Sequence, residues 1–151
     1  MIKRAVILDR DGTINEDIGD LYTVEKLKFI SDALELMAIL QKRFLLFIIT
    51  NQAGIGKRNF TEEDDCVCRK PKTYFVEKAI KKYKLNMRES FVVGDHPCDV
   101  EMSYRAQMTS IFLLTGHGKK HLQEIQGNTE FLISKNIYDA TLLIQSLSDK
   151  F

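Results

Sequence analysis

An apolar run near the start of the chain ends at two aspartates and a glycine. Residues 5–8 are continuously apolar, which is typical of a strand buried on both faces of a parallel sheet. Asp9 and Asp11 follow at positions i and i+2, so both side chains point the same way if the chain stays extended. Ligands of parallel sheets collect beyond the carboxyl ends of the strands. The motif therefore predicts either an acidic site at the edge of a sheet or a turn whose aspartates bond only their own backbone.

The close spacing of the two carboxylates also indicates a chemistry. Neighbouring carboxylates repel each other, which keeps one ionised and leaves the other more readily protonated. The first could then act as a nucleophile while the second acts as a general acid.

Apolar runs and helical patterns alternate along the rest of the chain. Further strands are predicted at residues 44–49, 91–93, 111–114 and 131–133. Helices are predicted at residues 32–40, 71–83, from 97 past 104, and 137–147. Asp32 and Glu35 predict a capping box for the first helix, and Pro71 is predicted in the first turn of the second. Residues 15–28, mixed and polar, are expected to form a flap over the end of the first strand.

This alternation predicts the class of fold. Strands that alternate with helices form an α/β structure, here a three-layer, Rossmann-like sandwich with a mainly parallel sheet. We expect one domain over residues 1–151, because the chain shows no linker or internal repeat and is too short to hold a large cap domain.

The composition excludes several classes of protein. The chain has 151 residues, 44% of them hydrophobic, and a formal net charge of +1, which argues against a nucleic-acid surface. Asp9 interrupts the first apolar run too early for a signal peptide, and no stretch approaches the roughly 20 apolar residues that span a bilayer. Three cysteines, an odd number, indicate reduced thiols. We expect a cytoplasmic protein without nucleic-acid or membrane partners, of unassigned oligomeric state.

Reactive side chains stand at the carboxyl ends of several predicted strands, and one lysine precedes a helix. By the sheet rule they converge on one rim. Carboxylates from two strands would form a hard-oxygen site for Mg2+, and a hydroxyl and an ammonium opposite would bind phosphoryl oxygens. The set therefore predicts phosphoryl transfer, which needs mainly positioning and neutralisation of charge. Its members are Asp9, Asp11, Thr50, Lys70, Asp95 and Asp99.

At these residues the sequence resembles the haloacid dehalogenase (HAD) superfamily of aspartate-based phosphatases, subfamily IIIA. Four motifs match in order and span most of the chain: Asp9-Arg10-Asp11-Gly12-Thr13, the strand ending in Thr50, Lys70, and Gly94-Asp95 with Asp99 four residues later. Longer runs resemble the branch that holds D-glycero-D-manno-heptose 1,7-bisphosphate 7-phosphatases and histidinol phosphatases. They are Leu8 to Asn15, Thr50 to Gly56 and Cys66 to Lys72, with Thr115-Gly116-His117-Gly118 closer to the heptose enzymes.

The resemblance implies a role for each catalytic position. Asp9 would attack phosphorus and form an aspartyl-phosphate, while Asp11 would protonate the leaving alcohol and later activate water. Mg2+ would be held by the Asp9 carboxylate, the Asp11 backbone carbonyl and Asp95. Thr50 and Lys70 would hold the phosphoryl group. Asp99 would orient the third motif rather than bind metal.

The resemblance also implies substrate contacts in the flap, in the loop after the second strand and around the lysine. The implied contacts are Asp17, Ile18, Gly19, Asp20, Asn51, Gln52, Ala53, Arg69 and His96. We therefore expect a Mg2+-dependent phosphatase that acts on a small phosphorylated metabolite, with the heptose 1,7-bisphosphate as the favoured substrate and histidinol phosphate as an alternative.

The chain departs from the branch before the Cys-x-Cys pair. Relatives place a longer segment there, including a Cys-x-His pair, and the four residues hold zinc. A tetrahedral structural site needs four ligands, and here Cys66 and Cys68 stand without the other pair, so we expect no structural zinc.

Other classes of protein remain as alternatives. One is a phosphoacceptor signalling domain, although its phosphorylated aspartate is expected on a central strand and not on the first along the chain. Another is a binding or scaffold protein that keeps the fold with weak or no turnover. A nucleic-acid 3'-phosphatase would be expected to show a basic groove, which the balanced charge disfavours.

Overall fold

The computed structural model describes residues 3–19, 21, 23–51, 67–125 and 129–150. Five strands form one sheet in which every pairing is parallel. They are β1 (Ala5–Leu8), β2 (Leu45–Ile48), β3 (Phe91–Gly94), β4 (Thr109–Leu113) and β5 (Leu132–Ser134). The helices are α1 (Ala33–Leu40), α2 (Tyr74–Tyr83), α3 (Pro97–Arg105), α4 (Gly118–His121) and α5 (Ile137–Ser148). The α/β fold with a parallel sheet is confirmed.

The helices cover both faces of the sheet. Successive strand residues point to opposite faces, so Val6 and Leu8 pack with α1 and α5, whereas Ile7 packs with α2 and α3. Residues 5–8 are all buried, as expected for a strand with a helical layer on each side. Three layers result, and the burial of both faces explains why the strands are continuously apolar.

The strand order places one crevice at the centre of the sheet. The order is β2-β1-β3-β4-β5, so the chain leaves β1 to one side for β2 and returns to its other side for β3. Such a reversal opens a crevice at the carboxyl ends of the two central strands. Asp9 follows β1 and Asp95 follows β3, so both carboxylates stand at this crevice.

The first helix begins where it was predicted, but its capping box and the predicted start of the second helix are wrong. Asp32 has a left-handed φ of 64° and its side chain makes no capping bond, so the capping box with Glu35 does not form. The second helix begins at Tyr74, because the chain first turns at residues 69–72, where the Lys72 N–H donates to the Arg69 carbonyl at 2.9 Å. A capping box is found instead at α3, where His96 accepts from the Cys98 N–H.

The segment between β1 and α1 contains a short 3-10 helix, Val24–Lys26, and its described residues form no further helix or strand beyond isolated bridges. None of the helices in the described part of the chain is both long and apolar enough to cross a membrane.

Candidate active site

Three carboxylates converge at the central crevice. Asp9 follows β1 and its N–H donates to the carbonyl of Val93 at 2.9 Å, which fixes it between the two central strands. Asp95 follows β3 and Asp99 lies in the first turn of α3. One oxygen from each carboxylate lies within 4.8 Å of the others, and the three residues are only 9%, 3% and 2% exposed. The prediction that strand ends bring these aspartates together holds.

Lys70 enters this acidic cluster from the segment before α2. Its Nζ lies 2.7 Å from Oδ1 of Asp9 and 2.7 Å from Oδ1 of Asp99, and the residue is 4% exposed. Asn51, just beyond β2, fixes the lysine backbone: its Nδ2 donates to the Lys70 carbonyl at 3.1 Å and its Oδ1 accepts from the Lys70 N–H at 2.9 Å. Asn51, expected to contact substrate, therefore positions the lysine in this structure.

Burial and charge set the ionisation of the cluster. Burial acts to lower the pKa of Lys70, but the Asp99 and Asp9 carboxylates outweigh it and raise that pKa above the ordinary 10.5, so the ammonium persists. Burial raises the pKa of Asp95 to about 6. Burial also raises the pKa of Asp99, against the pull of Lys70. Three carboxylates face one ammonium, and this excess of hard, anionic oxygens fits a cation such as Mg2+.

The loop after β4 fixes Asp95. The backbone N–H of His117 donates to Oδ2 of Asp95 at 2.8 Å. Thr115 Oγ1 donates to the carbonyl of Gly12 at 2.7 Å and so joins this loop to the turn after β1. A Cβ on Gly12 or on Gly116 would overlap the Asp95 carboxylate, and both have a positive φ. Asp95 therefore sits in a slot that two glycines leave open.

Asp11 lies apart from the acidic cluster. Arg10 donates to its carboxylate from Nε at 3.1 Å and from Nη2 at 2.8 Å, and Asn15 Nδ2 donates to Oδ1 at 2.8 Å. These three donors fix the orientation of the side chain. Asn15 was not predicted as a site residue, although it ends the motif run that began at Leu8.

The structure distributes the other predicted contacts around the crevice. Thr50 and Arg69 adjoin Asn51 and Lys70 in sequence, and His96 is an exposed residue whose ring lies 4.8 Å from that of His121. The flap residues Asp17, Ile18 and Gly19 are described, with Oδ2 of Asp17 3.0 Å from Nε2 of His117. Asp20, Gln52 and Ala53 lie outside the described residues.

The cysteines differ from one another. Cys98 is a free thiol, and burial raises its pKa to about 12, which keeps it protonated. Cys68 is disulfide-bonded, so the expectation of reduced thiols is wrong at this position, because an odd count says nothing about which sulfurs lie close together. Cys66 lies outside the described residues, and the absence of structural zinc stays a prediction for metal analysis.

Known proteins share this fold and sequence pattern. A family model described as HAD-hydrolase-like matches residues 67–140. A D-glycero-alpha-D-manno-heptose-1,7-bisphosphate 7-phosphatase of Photorhabdus laumondii is 30% identical, over 89% of this chain and 96% of the relative. A D-glycero-beta-D-manno-heptose-1,7-bisphosphate 7-phosphatase of Haemophilus influenzae is 26% identical, over 97% and 99%.

The solved structures agree with the fold. The D,D-heptose 1,7-bisphosphate phosphatase of B. bronchiseptica, complexed with magnesium and phosphate, superposes with a TM-score of 0.82 at 19% identity, over 95% of this chain and 99% of that one. The alignment with the Photorhabdus protein runs over 176 positions, more than the 151 residues here, so that relative carries residues without a counterpart. The chain belongs to the haloacid dehalogenase-like hydrolase family and is one of its phosphoric monoester hydrolases.

We expect Lys70→Met to destabilise the protein by about 3–5 kcal/mol, because it leaves buried carboxylates without a counter-charge. Asp99→Asn in the same chain should restore part of that stability by removing one of those charges. Urea unfolding at neutral pH measures both changes. Lys81→Ala, at an exposed lysine of α2, is the matched control and should change stability by less than about 0.5 kcal/mol. A Lys70→Met loss no larger than that of the control would contradict the argument.

Alanine variants of Gly12 and Gly19 distinguish the cost of backbone strain from the cost of steric overlap, because the two residues have nearly the same φ. Gly12 and Gly19 have φ of 78° and 79°, but a Cβ meets the Asp95 carboxylate at Gly12 and nothing within 4 Å at Gly19. Both alanine variants should carry the cost of a left-handed residue, and Gly12→Ala should lose a further 1–3 kcal/mol or so from overpacking. Urea unfolding compares them, and equal losses would show that Asp95 is not held by this turn.

Proposed function

We propose that the protein removes the 7-phosphate of D-glycero-D-manno-heptose 1,7-bisphosphate through an aspartyl-phosphate intermediate. The observation that carries the chemistry is the buried cluster of Asp9, Asp95 and Asp99, in which Asp9 and Asp99 contact the ammonium of Lys70. The choice of sugar is supported by the names of the relatives from Photorhabdus and Haemophilus and by the length of chain that they share. The cytoplasmic location expected from the sequence is part of the same proposal.

Asp9 is the nucleophile in this proposal. Lys70 holds its Oδ1, while Oδ2 has no partner among the described residues and is available to attack phosphorus. The bond from phosphorus to the leaving oxygen then breaks, and that oxygen takes a proton from Asp11 as general acid. In the second step Asp11 takes a proton from water, whose oxygen attacks phosphorus and releases the Asp9 carboxylate and inorganic phosphate.

Asp11 acts from a fixed position. Arg10 and Asn15 hold its carboxylate, which limits the directions from which it can give or take a proton. This fixed orientation favours one proton-transfer path to the leaving oxygen over random encounter with solvent.

Mg2+ fits the donor set of the crevice. The Asp9 and Asp95 carboxylates and the Asp11 backbone carbonyl would hold it, and when bound it neutralises phosphoryl charge. Asp99 is committed elsewhere: its Oδ1 accepts from Lys70 and its Oδ2 accepts from the backbone N–H of His96. We therefore assign Asp99 the role of orienting Lys70 and the start of α3.

The remaining residues bind the substrate in this proposal. Thr50 and Lys70 hold the phosphoryl oxygens, since a hydroxyl and an ammonium both donate to them. Arg69 precedes the lysine and presents a guanidinium that suits the second phosphate. His96 and the loop residues 51–53 complete the sugar site together with the flap at residues 18–20.

Asp9→Asn should abolish formation of the phosphoenzyme, because an amide is a far weaker nucleophile than a carboxylate. Asp11→Asn should still bind substrate and Mg2+ but lose most turnover, about 100-fold or more, because general acid-base catalysis is removed. Rapid-quench trapping of the phosphoenzyme and steady-state phosphate release measure the two effects. Near-normal turnover in the Asp9 variant would refute the mechanism.

A panel of phosphorylated metabolites, assayed with Mg2+ and with EDTA, tests the substrate. The heptose 1,7-bisphosphate should give the highest kcat/KM, and EDTA should remove activity. Arg69→Ala should raise KM for the bisphosphate more than for an aryl phosphate, because the aryl ester lacks a second anionic group. A preference for histidinol phosphate would replace the heptose substrate, and no turnover of any ester would favour a binding protein.

A further inference from the structure

His117 joins the acidic cluster to the flap. Its backbone N–H donates to Oδ2 of Asp95 at 2.8 Å, and its side-chain Nε2 lies 3.0 Å from Oδ2 of Asp17. The first contact belongs to the crevice between β1 and β3, and the second belongs to residues 15–28, the segment predicted as a flap. One residue therefore spans from a carboxylate of the acidic cluster to the flap.

The backbone that presents His117 is tightly fixed. Gly118 N–H donates to the carbonyl of Thr115 at 2.7 Å, and Thr115 Oγ1 donates to Gly12. A Cβ at Gly118 would overlap the carbonyl of Leu113, so the turn lies directly against the end of β4. The His117 imidazole thus extends toward the flap from a backbone that these contacts hold in place.

The flap itself is fixed at its base and open at its tip. Glu16 N–H donates to the carbonyl of Lys28 at 2.8 Å, and Ile30 N–H donates to the carbonyl of Ile14 at 2.9 Å, which closes the base. Farther out, Ile18 is 45% exposed and Val24 is 81% exposed. The tip has few buried contacts, so its position depends on individual contacts such as the one that Asp17 makes.

Both oxygens of Asp17 are engaged within the protein. Oδ1 accepts from the backbone N–H of Gly19 at 2.8 Å, which shapes the tip, and Oδ2 faces the His117 ring. We propose that His117 is a positioning residue that latches the flap through Asp17, and that Asp17 affects the substrate by placing the flap and not by touching it. The inference rests on the proposed function.

The contact between His117 and Asp17 is weak, because both side chains are partly exposed to solvent. The His117 side chain is 54% exposed and that of Asp17 is 19% exposed, and contacts at such sites change an equilibrium by about two- to fivefold. A contact of this size holds the flap over bound substrate yet lets it open for product release. The latch is made by the side chain of His117, whereas its backbone N–H holds Asp95, so replacing the side chain acts on KM and leaves kcat unchanged.

Hydrogen exchange of the unliganded protein tests the latch without any enzymatic activity. His117→Ala should speed exchange in the peptide that covers residues 16–19 by about two- to fivefold, because the tip loses an anchor. His117→Gln, which keeps an N–H donor at similar reach, should restore slow exchange. Lys119→Ala, at an exposed lysine of the same short helix, is the matched control and should leave exchange unchanged. Equal exchange in His117→Ala and the control would overturn the latch whatever the substrate proves to be.

Kinetics on the heptose 1,7-bisphosphate then separate positioning from direct contact. His117→Ala should raise KM about two- to fivefold at unchanged kcat, and the double variant with Asp17→Ala should be no worse than Asp17→Ala alone, because both changes break one contact. If the KM increases of the two single variants multiply in the double variant, Asp17 contacts the substrate directly and the proposal is overturned. A fall in kcat for His117→Ala would overturn it as well. If no ester is turned over, the exchange experiment still decides the latch, so that failure belongs to the proposed function.

Discussion

The ammonium of Lys70 makes the acidic crevice compatible with a folded protein. Burying carboxylates costs several kcal/mol per ion unless a counter-charge lies close by, and Lys70 lies 2.7 Å from two of them. Its charge balances only part of the cluster, so the crevice keeps a net affinity for cations. The same group therefore stabilises the fold and leaves an excess of negative charge, so its removal is expected to affect folding as well as chemistry.

The sheet topology explains why so few elements are needed to build the site. β1 and β3 are neighbours at the centre, so Asp9 and Asp95 are brought together by backbone pairing alone. The helix that follows β3 begins at once and carries Asp99 in its first turn. Lys70 comes from a different segment, before α2, and Asn51 just beyond β2 fixes its backbone.

The sequence predicts the strands and the carboxylates that cluster at their ends because both signals are local. A continuous apolar run marks a strand with two covered faces, and the aspartate that ends it must lie at the carboxyl edge of the sheet. Local signals fail where tertiary structure overrides them. At Asp32 a left-handed backbone conformation removes the expected cap, and a turn at residues 69–72 precedes the helix that begins at Tyr74.

The contacts that hold the site were not predictable in this way. Asn51 reaches Lys70 across 19 positions and His117 reaches Asp95 across 22. Neither residue has a local pattern that reveals its partner, since each contact exists only once the strands are ordered. The sequence motifs predict the reactive groups, whereas the residues that orient them are identified from the folded structure.

The clamp between Asn51 and Lys70 has a consequence for how such proteins diversify. The two hydrogen bonds join Asn51 to Lys70, so the spacing between these two residues does not depend on the number of residues between them. Doubling a flexible loop adds only about 0.6 kcal/mol of closure entropy. Insertions and deletions in this connection can therefore be accommodated while the lysine keeps its place.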